Sequence, residues 1–311
     1  MSRNLPLSVI DFATIYPGQS AHEAIASSTR LAQRAEELGF SRIWYAEHHN
    51  SETRASSVPA LLIAHIGAQT NSIRLGAGGV MLPNHAPYSV AEQFGTLAEM
   101  YPGRIDLGLG RAPGTDAQTA GRALRRPFDA AERFPEDVVE LYHYLRGTSR
   151  IPGVQAFPGA GTNVPIYILG SSMYGASLAA QLGLPYAYAS QFAPDHLESA
   201  VTFYREHFQP SAELAAPHVF AGVNVVAAAT GTAAAEKYEQ VFAKRAKRQG
   251  RRAAKTLHFT GQGTGEQAAA YVADFAVHAR ADELLINFEG ATPDQALESM
   301  ELFAAAWELG R

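Results

Sequence analysis

Cysteine is absent from all 311 residues, and its absence removes disulfides, thiolate metal sites and thiol nucleophiles in one step. It also fits a reducing compartment. A charge excess is missing as well, since 25 Lys and Arg stand against 30 Asp and Glu for a formal net charge of -5. Nothing in that balance draws the chain to nucleic acid or to an anionic membrane, so the expected partner is a small molecule. No segment approaches the roughly 20 apolar residues of a membrane span, and the N-terminal MSRNLPLSVIDF lacks the long apolar core of a signal peptide. A cytoplasmic protein is expected. With 47% hydrophobic and 18% charged residues, the chain can bury a large core, as one large domain or two small ones.

Short apolar runs alternate with amphipathic stretches. LSVIDF (7–12) precedes a helix opened by the capping box Ser20-Ala21-His22-Glu23, in which Ser20 and Glu23 satisfy orphan amides reciprocally, and closed by Gly39. RIWYA (42–46), IRLGAGGVM (73–81), RIDLGLG (104–110), VPIYILG (164–170), PYAYAS (185–190), FAGVNVVAAA (220–229) and ELLINF (283–288) follow. Each is trailed by a helical stretch, among them Pro59 to Thr70, Ser89 to Met100 and Pro135 to Leu145. Strands separated by helices at this spacing read as repeated βαβ units and a parallel sheet. About eight of them in a chain of this length fit a closed (β/α)8 TIM barrel better than an open sheet. A single barrel domain over residues 1–311 is expected, with an inserted helical excursion between the seventh and eighth strands.

Two unusual stretches are read conservatively. The Gly/Pro-rich IPGVQAFPGAGTNVP (151–165) is expected to be a long loop over the barrel mouth, not a domain boundary. In KRAKRQGRRAAK (244–255), Lys244, Arg248, Arg251 and Lys255 fall on one helical face, which predicts a solvated surface.

The second strand ends in Glu47-His48-His49. Residues just after a barrel strand stand at the C-terminal rim, where such folds build active sites. Adjacent residues of an extended chain point opposite ways, and the first strand ends in Asp11-Phe12-Ala13 with no His-x-His pair. A metal site is therefore not expected, and a histidine acting as acid, base or hydrogen-bond donor at a bound cofactor is. LGLGRAPG (107–114) imitates a dinucleotide fingerprint, but Pro113 stands where the third glycine belongs and no helix opens there. It does supply Arg111, a fixed positive charge suited to phosphate. Gly170-Ser171-Ser172 leads a strand into a helix whose free amides and dipole make an anion site, unless Ser172 merely caps it. Phe12, Met81 and Phe192 are expected to give the mouth an apolar lining.

From LGFSRIWYAEHHN (38–50) through RLGAGGVMLPNHAPYSVAEQFGTLAEMYPGRIDLGLGRAPGTD (74–116), and more loosely along nearly the whole chain, the sequence resembles the bacterial luciferase-like flavin monooxygenases. The resemblance implies a (β/α) barrel that binds reduced FMN, delivered by a separate reductase, at the C-terminal rim. Oxygen would add at the flavin C4a position and the peroxide would oxidise a small organic substrate. It further implies that His48 assists formation and decay of the flavin peroxide, with His49 beside it. Gly78 and Gly79 match a small-residue pair, often joined by a cis peptide, that packs against the isoalloxazine ring. Arg111 matches a phosphate ligand, and Ser171, Ser172, Met173 and Tyr174 match the amide-lined end of the phosphate pocket. Ser171 replaces a frequent carboxylate, and Gln191 stands where close relatives carry histidine. A deazaflavin F420-dependent dehydrogenase and a non-catalytic flavin-binding protein are the alternatives. The family also pairs subunits through the helices after the second and third strands, so Ala60, Ala64, Gly67 and Ala68, with Leu61 and Ile66, are expected at a homodimer seam.

Overall fold

The computed structural model describes residues 5–310. In chain order its elements are β1 (Leu7–Asp11), α1 (Ala21–Glu37), β2 (Arg42–Tyr45), α2 (Pro59–Gly67), β3 (Arg74–Met81), α3 (Pro87–Met100), β4 (Ile105–Gly110), α4 (Phe134–Leu145), β5 (Ile166–Gly170) and α5 (Met173–Leu182). There follow β6 (Tyr186–Tyr188), α6 (Leu197–His207), β7 (Val219–Ala227), α7 (Gly231–Gln249), α8 (Arg252–Lys255), β8 (Thr260–Gly263), α9 (Gly265–His278), β9 (Glu283–Phe288) and α10 (Pro293–Trp307). The strand order β6-β5-β4-β3-β2-β1-β9-β7, closed by β7 on β6, makes an eight-stranded parallel barrel with helices around it. The (β/α)8 TIM barrel expected from the sequence is what the chain forms. The capping box at Ser20 and Glu23 is also present.

The excursion after the seventh strand contains a strand that its sequence conceals. β7 pairs with β6 over Val219–Ala221, but from Asn224 to Ala227 its partner is β8. This switch opens the wall between β6 and β7 towards the C-terminal rim, and α7 and α8 occupy the excursion that follows.

Inside the barrel, charge and aromatic bulk form separate layers. At the N-terminal ends of the strands, Arg42 bridges Asp106 and Glu283 at 2.7 Å each, while Arg74 pairs with Asp106. Buried pairs with both partners satisfied specify an arrangement and are costly to break. Above them Trp44 stacks on Phe220 with centroids 5.5 Å apart and meets Tyr167 edge-on. Trp44 and Ile10 explain why β3 carries glycine here, because a Cβ on Gly76 falls 2.6 Å from the indole and one on Gly78 falls 2.7 Å from Ile10.

Several expectations are corrected. Residues 151–165 do not cover the mouth: Gln155 accepts from Tyr88, Gly159 lies against Gly95 of α3, and the amide of Gly161 donates to Leu145 of α4. The segment joins a helix to the next strand, so it packs along the outer helices. The basic run is not one solvated face. Gly250 ends α7 with φ 56°, and Lys244 and Arg248 turn towards a cavity at the rim while Lys255 pairs with Asp195. Finally, α2 stops at Gly67, and Ile66 and Gly67 face their own barrel, where a Cβ on Gly67 would meet the Tyr101 ring at 2.4 Å. Val58 and Leu61 are the large exposed apolar residues around α2, and Ala68 just past its end is exposed as well.

Candidate active site

The Glu-His-His end of β2 divides its labour. Glu47 is buried, and its carboxylate accepts from His49 Nε2 at 2.8 Å, His85 Nε2 at 2.9 Å, Asn84 Nδ2 at 3.3 Å and the amide of Met81 at 3.0 Å. Burial alone would raise its pKa, but the bonds from His49, His85 and Met81 outweigh that and hold it at about 2. Glu47 is thus an ionised post that ties β2 to the turn after β3. His49 is anchored to it and donates its own amide to Gly114.

His48 points the other way, onto the wall of a cavity of 780 Å³ at the C-terminal rim. Burial, and then the nearby charge of Arg54, lower its pKa to about 3, so the imidazole is neutral at physiological pH. Its Nδ1 is buried without a hydrogen-bond partner among the described residues. The ring meets Phe12 edge-on at 5.8 Å, and its amide donates to Ser56. A neutral imidazole on this wall can exchange a hydrogen bond with a molecule in the cavity.

Phe12 and Phe192 line the same cavity, with Gln191, Asn224 and Glu289. Met81 does not: it is buried against Gly110, which corrects the expected apolar lining. The cavity also brings in Arg54, Lys244, Arg245 and Arg248, none of which the sequence marked as a site. Their signal was weak, since Arg54 is a lone charge in a polar loop.

Arg111 and residues 171–174 meet elsewhere on the rim, because β4 and β5 are neighbours. The Arg111 guanidinium lies 4.1 Å from the centre of the Tyr174 ring, and its Nε donates to Ala131 at 2.9 Å. Arg126, which the sequence reading passed over, donates to the Arg111 carbonyl at 3.1 Å. Ser172 is the N-cap of α5 but makes no side-chain capping bond, and it and Met173 are exposed. The carbonyls of Ser171 and Ser172 are fixed by Tyr188 and Tyr186. The helix start therefore presents free amides beside a cation, a donor set suited to an anion.

Gly78 and Gly79 lie in β3 and are joined by a cis peptide. A Cβ on Gly79 would fall 2.7 Å from the carbonyl oxygen of Gly108, so close packing within the barrel already requires glycine at both positions. Neither they nor His49, Arg111 and residues 171–174 line the 780 Å³ cavity, which His48 does.

A parallel eight-stranded barrel with a cavity and a separate anion-type donor set at its C-terminal rim has the layout of a barrel enzyme. Residues 6–307 match the family model described as luciferase-like monooxygenase, and the chain belongs to that family. It is 40% identical to the uncharacterized protein YvbT of Bacillus subtilis (strain 168), covering 97% of this chain and 96% of that one. It is 49% identical to a luciferase-like monooxygenase of Escherichia coli (strain K12), over 73% of this chain and 68% of the other. The N-acetyl-S-alkylcysteine monooxygenase of Bacillus subtilis (strain 168) is 38% identical over 69% of this chain and 67% of its own. Among solved structures, apo-MsnO8 superposes with a TM-score of 0.87 at 29% identity, covering 98% and 99% of the two chains. The fold is also shared by the oxygenating constituent of a 3,6-diketocamphane monooxygenase of Pseudomonas putida in complex with FMN. Its TM-score is 0.75 at 16% identity, with 96% of each chain covered. An F420-dependent secondary alcohol dehydrogenase shares it too, at TM-score 0.74 and 14% identity over 97% and 99% of the chains. Membership supports an oxidoreductase of the monooxygenase kind. No helix among the described residues is long and apolar enough to cross a membrane.

Proposed function

We propose that the chain is the oxygenase of a two-component system, using reduced FMN from a separate reductase and O2 to oxidise a small organic substrate in the cytoplasm. The observation that carries this reading is His48, a neutral imidazole on the wall of a rim cavity large enough for a substrate. The donor set around Arg111 and the start of α5 fits the FMN phosphate, with Ser171, Ser172, Met173 and Tyr174 supplying the end of the pocket. Gly78, Gly79 and His49 are proposed to border the flavin ring. Bound reduced FMN would supply the electrons that activate dioxygen.

The chain's own groups do the rest. His48 presents a neutral imidazole on the cavity wall as a hydrogen-bonding group for the reacting group. Phe12 and Phe192 limit the access of water to the cavity. A homodimer through α2 and α3 is part of the proposal, with Leu61 its exposed apolar contact. Anaerobic titration with reduced FMN, riboflavin and reduced F420 tests the cofactor choice: FMN should bind tightest, and a preference for F420 would replace monooxygenation by hydride transfer.

A further inference from the structure

The charges around the cavity are unbalanced. Five cations line it, Arg54, Lys244, Arg245, Lys247 and Arg248, against three carboxyl groups, Asp11, Glu52 and Glu289. Two of those acids are already engaged. Glu289 takes Arg245 and Asn287, and Asp11 accepts from Ser28 and from the Ala13 amide while burial pushes its pKa up. Glu52 is exposed.

Four cations are left without a carboxylate among the described residues, and of these Lys247 is exposed to solvent. The Arg54 guanidinium sits 4.8 Å from the centre of the Phe12 ring and makes no hydrogen bond or ion pair among the described residues. Arg248 donates to the Thr53 hydroxyl at 2.9 Å, and Lys244 stands 4.1 Å over Tyr16. Elsewhere in the fold Arg42, Arg205 and Lys237 each sit against a carboxylate at 2.7 Å or less. Arg54 is not adrift, for its loop is pinned by an antiparallel bridge to Thr14 and by the Ala55 amide on Ala13. Like charges from two separate elements, the β2 loop and α7, therefore converge on one space. Burial, followed by the charges of Arg248 and Arg245, lowers the Arg54 pKa to about 10, so the free cavity disfavours its cation. An anion there would relieve that repulsion.

The cluster is not the proposed phosphate pocket. Around the barrel, β4, which leads to Arg111, is two strands from β2, which leads to Arg54, and three from β7, which leads to α7 with Lys244 and Arg248, and neither Arg111 nor residues 171–174 line this cavity. We infer that the rim cavity binds an organic acid, its carboxylate held by Arg54, Arg248 and Lys244 and its apolar body against Phe12 and Phe192, beside His48. This deepens the proposed function by naming the substrate class, and it rests on that reading only for the claim that the acid is oxidised. A bound carboxylate also offsets the Arg54 charge felt by His48, which makes the histidine more basic when the cavity is filled.

Calorimetry with hexanoate and hexan-1-ol, two probes that differ in charge, tests this on the flavin-free full chain. Hexanoate should bind at least about tenfold tighter, since a charge-assisted hydrogen bond is worth roughly 10- to 100-fold in affinity. Arg54→Gln should abolish the preference and leave hexan-1-ol and FMN affinities unchanged. Arg248→Gln, at an exposed helix position, should weaken hexanoate in the same direction and serves if the Arg54 variant does not fold. Wild-type protein with no preference for hexanoate overturns the inference. So does an Arg54→Gln protein that loses FMN but not riboflavin, which would make the cluster a phosphate site. Hexanoate binding through Arg54 in a chain that binds no flavin would keep the anion site and remove the flavin reading.

Discussion

Replacing Glu47 by Gln isolates the one charge that holds the end of β2 in place. The side chain keeps its shape, but its amide cannot accept from His49, His85, Asn84 and the Met81 amide together, and half of it becomes a donor facing donors. At roughly 1.4 kcal/mol per unit of pKa, holding this carboxylate at about 2 where 4.5 is ordinary corresponds to about 3 kcal/mol of folding free energy at pH 7. Removing one partner from a buried charge network costs a similar amount, about 3–5 kcal/mol. A lowered carboxylate pKa contributes stability that is full above the unfolded value of 4.5 and is lost as pH falls towards 2. Urea unfolding of both proteins should therefore show a penalty of about 3 kcal/mol at pH 7 that shrinks by about 1 kcal/mol at pH 3.5. A penalty below about 1 kcal/mol at pH 7, or one that does not change with pH, would refute the role of Glu47 as an ionised post.

Three other outcomes are expected. Arg111→Ala should weaken FMN by at least about tenfold while leaving riboflavin nearly unchanged, because only FMN carries the phosphate; equal losses in a fluorescence titration would move the phosphate site elsewhere. His48→Ala should retain FMN affinity and hasten hydrogen peroxide release from the reduced complex in air by roughly 10²-fold, in line with loss of a positioned acid or base. Unchanged release would free His48 of its assigned part. Leu61→Arg should split the proposed dimer into 33.3 kDa chains in sedimentation, and an unaltered mass would place the seam off α2.

The barrel was legible because its eight wall strands are apolar runs between helices that carry their own boundary signals, such as the Ser20 and Glu23 capping box. β8 was not, since Thr260-Gly261-Gln262-Gly263 has two glycines and no apolar alternation; its pairing with β7 makes it a strand. Periodicity placed Lys244 and Arg248 on one helical face, but it cannot say what that face packs over. The loop at 151–165 was misplaced for the same reason, since glycine and proline report a turn and not its side of the barrel. At the site, His48 and His49 were visible as rim residues, whereas the anchor of His49 depends on Glu47 meeting His85 and Asn84 across more than 30 residues. Arg54 gave no sequence signal, because an unpaired charge is recognised only when its surroundings lack the opposite sign.

The most direct test mixes the anaerobic complex of this chain and reduced FMN with oxygenated buffer and follows hydrogen peroxide. Saturable binding of reduced FMN, with peroxide released more slowly than from free reduced FMN, is the expected result; release at the free rate, or no binding of FMN at all, would contradict a flavin-dependent oxygenase.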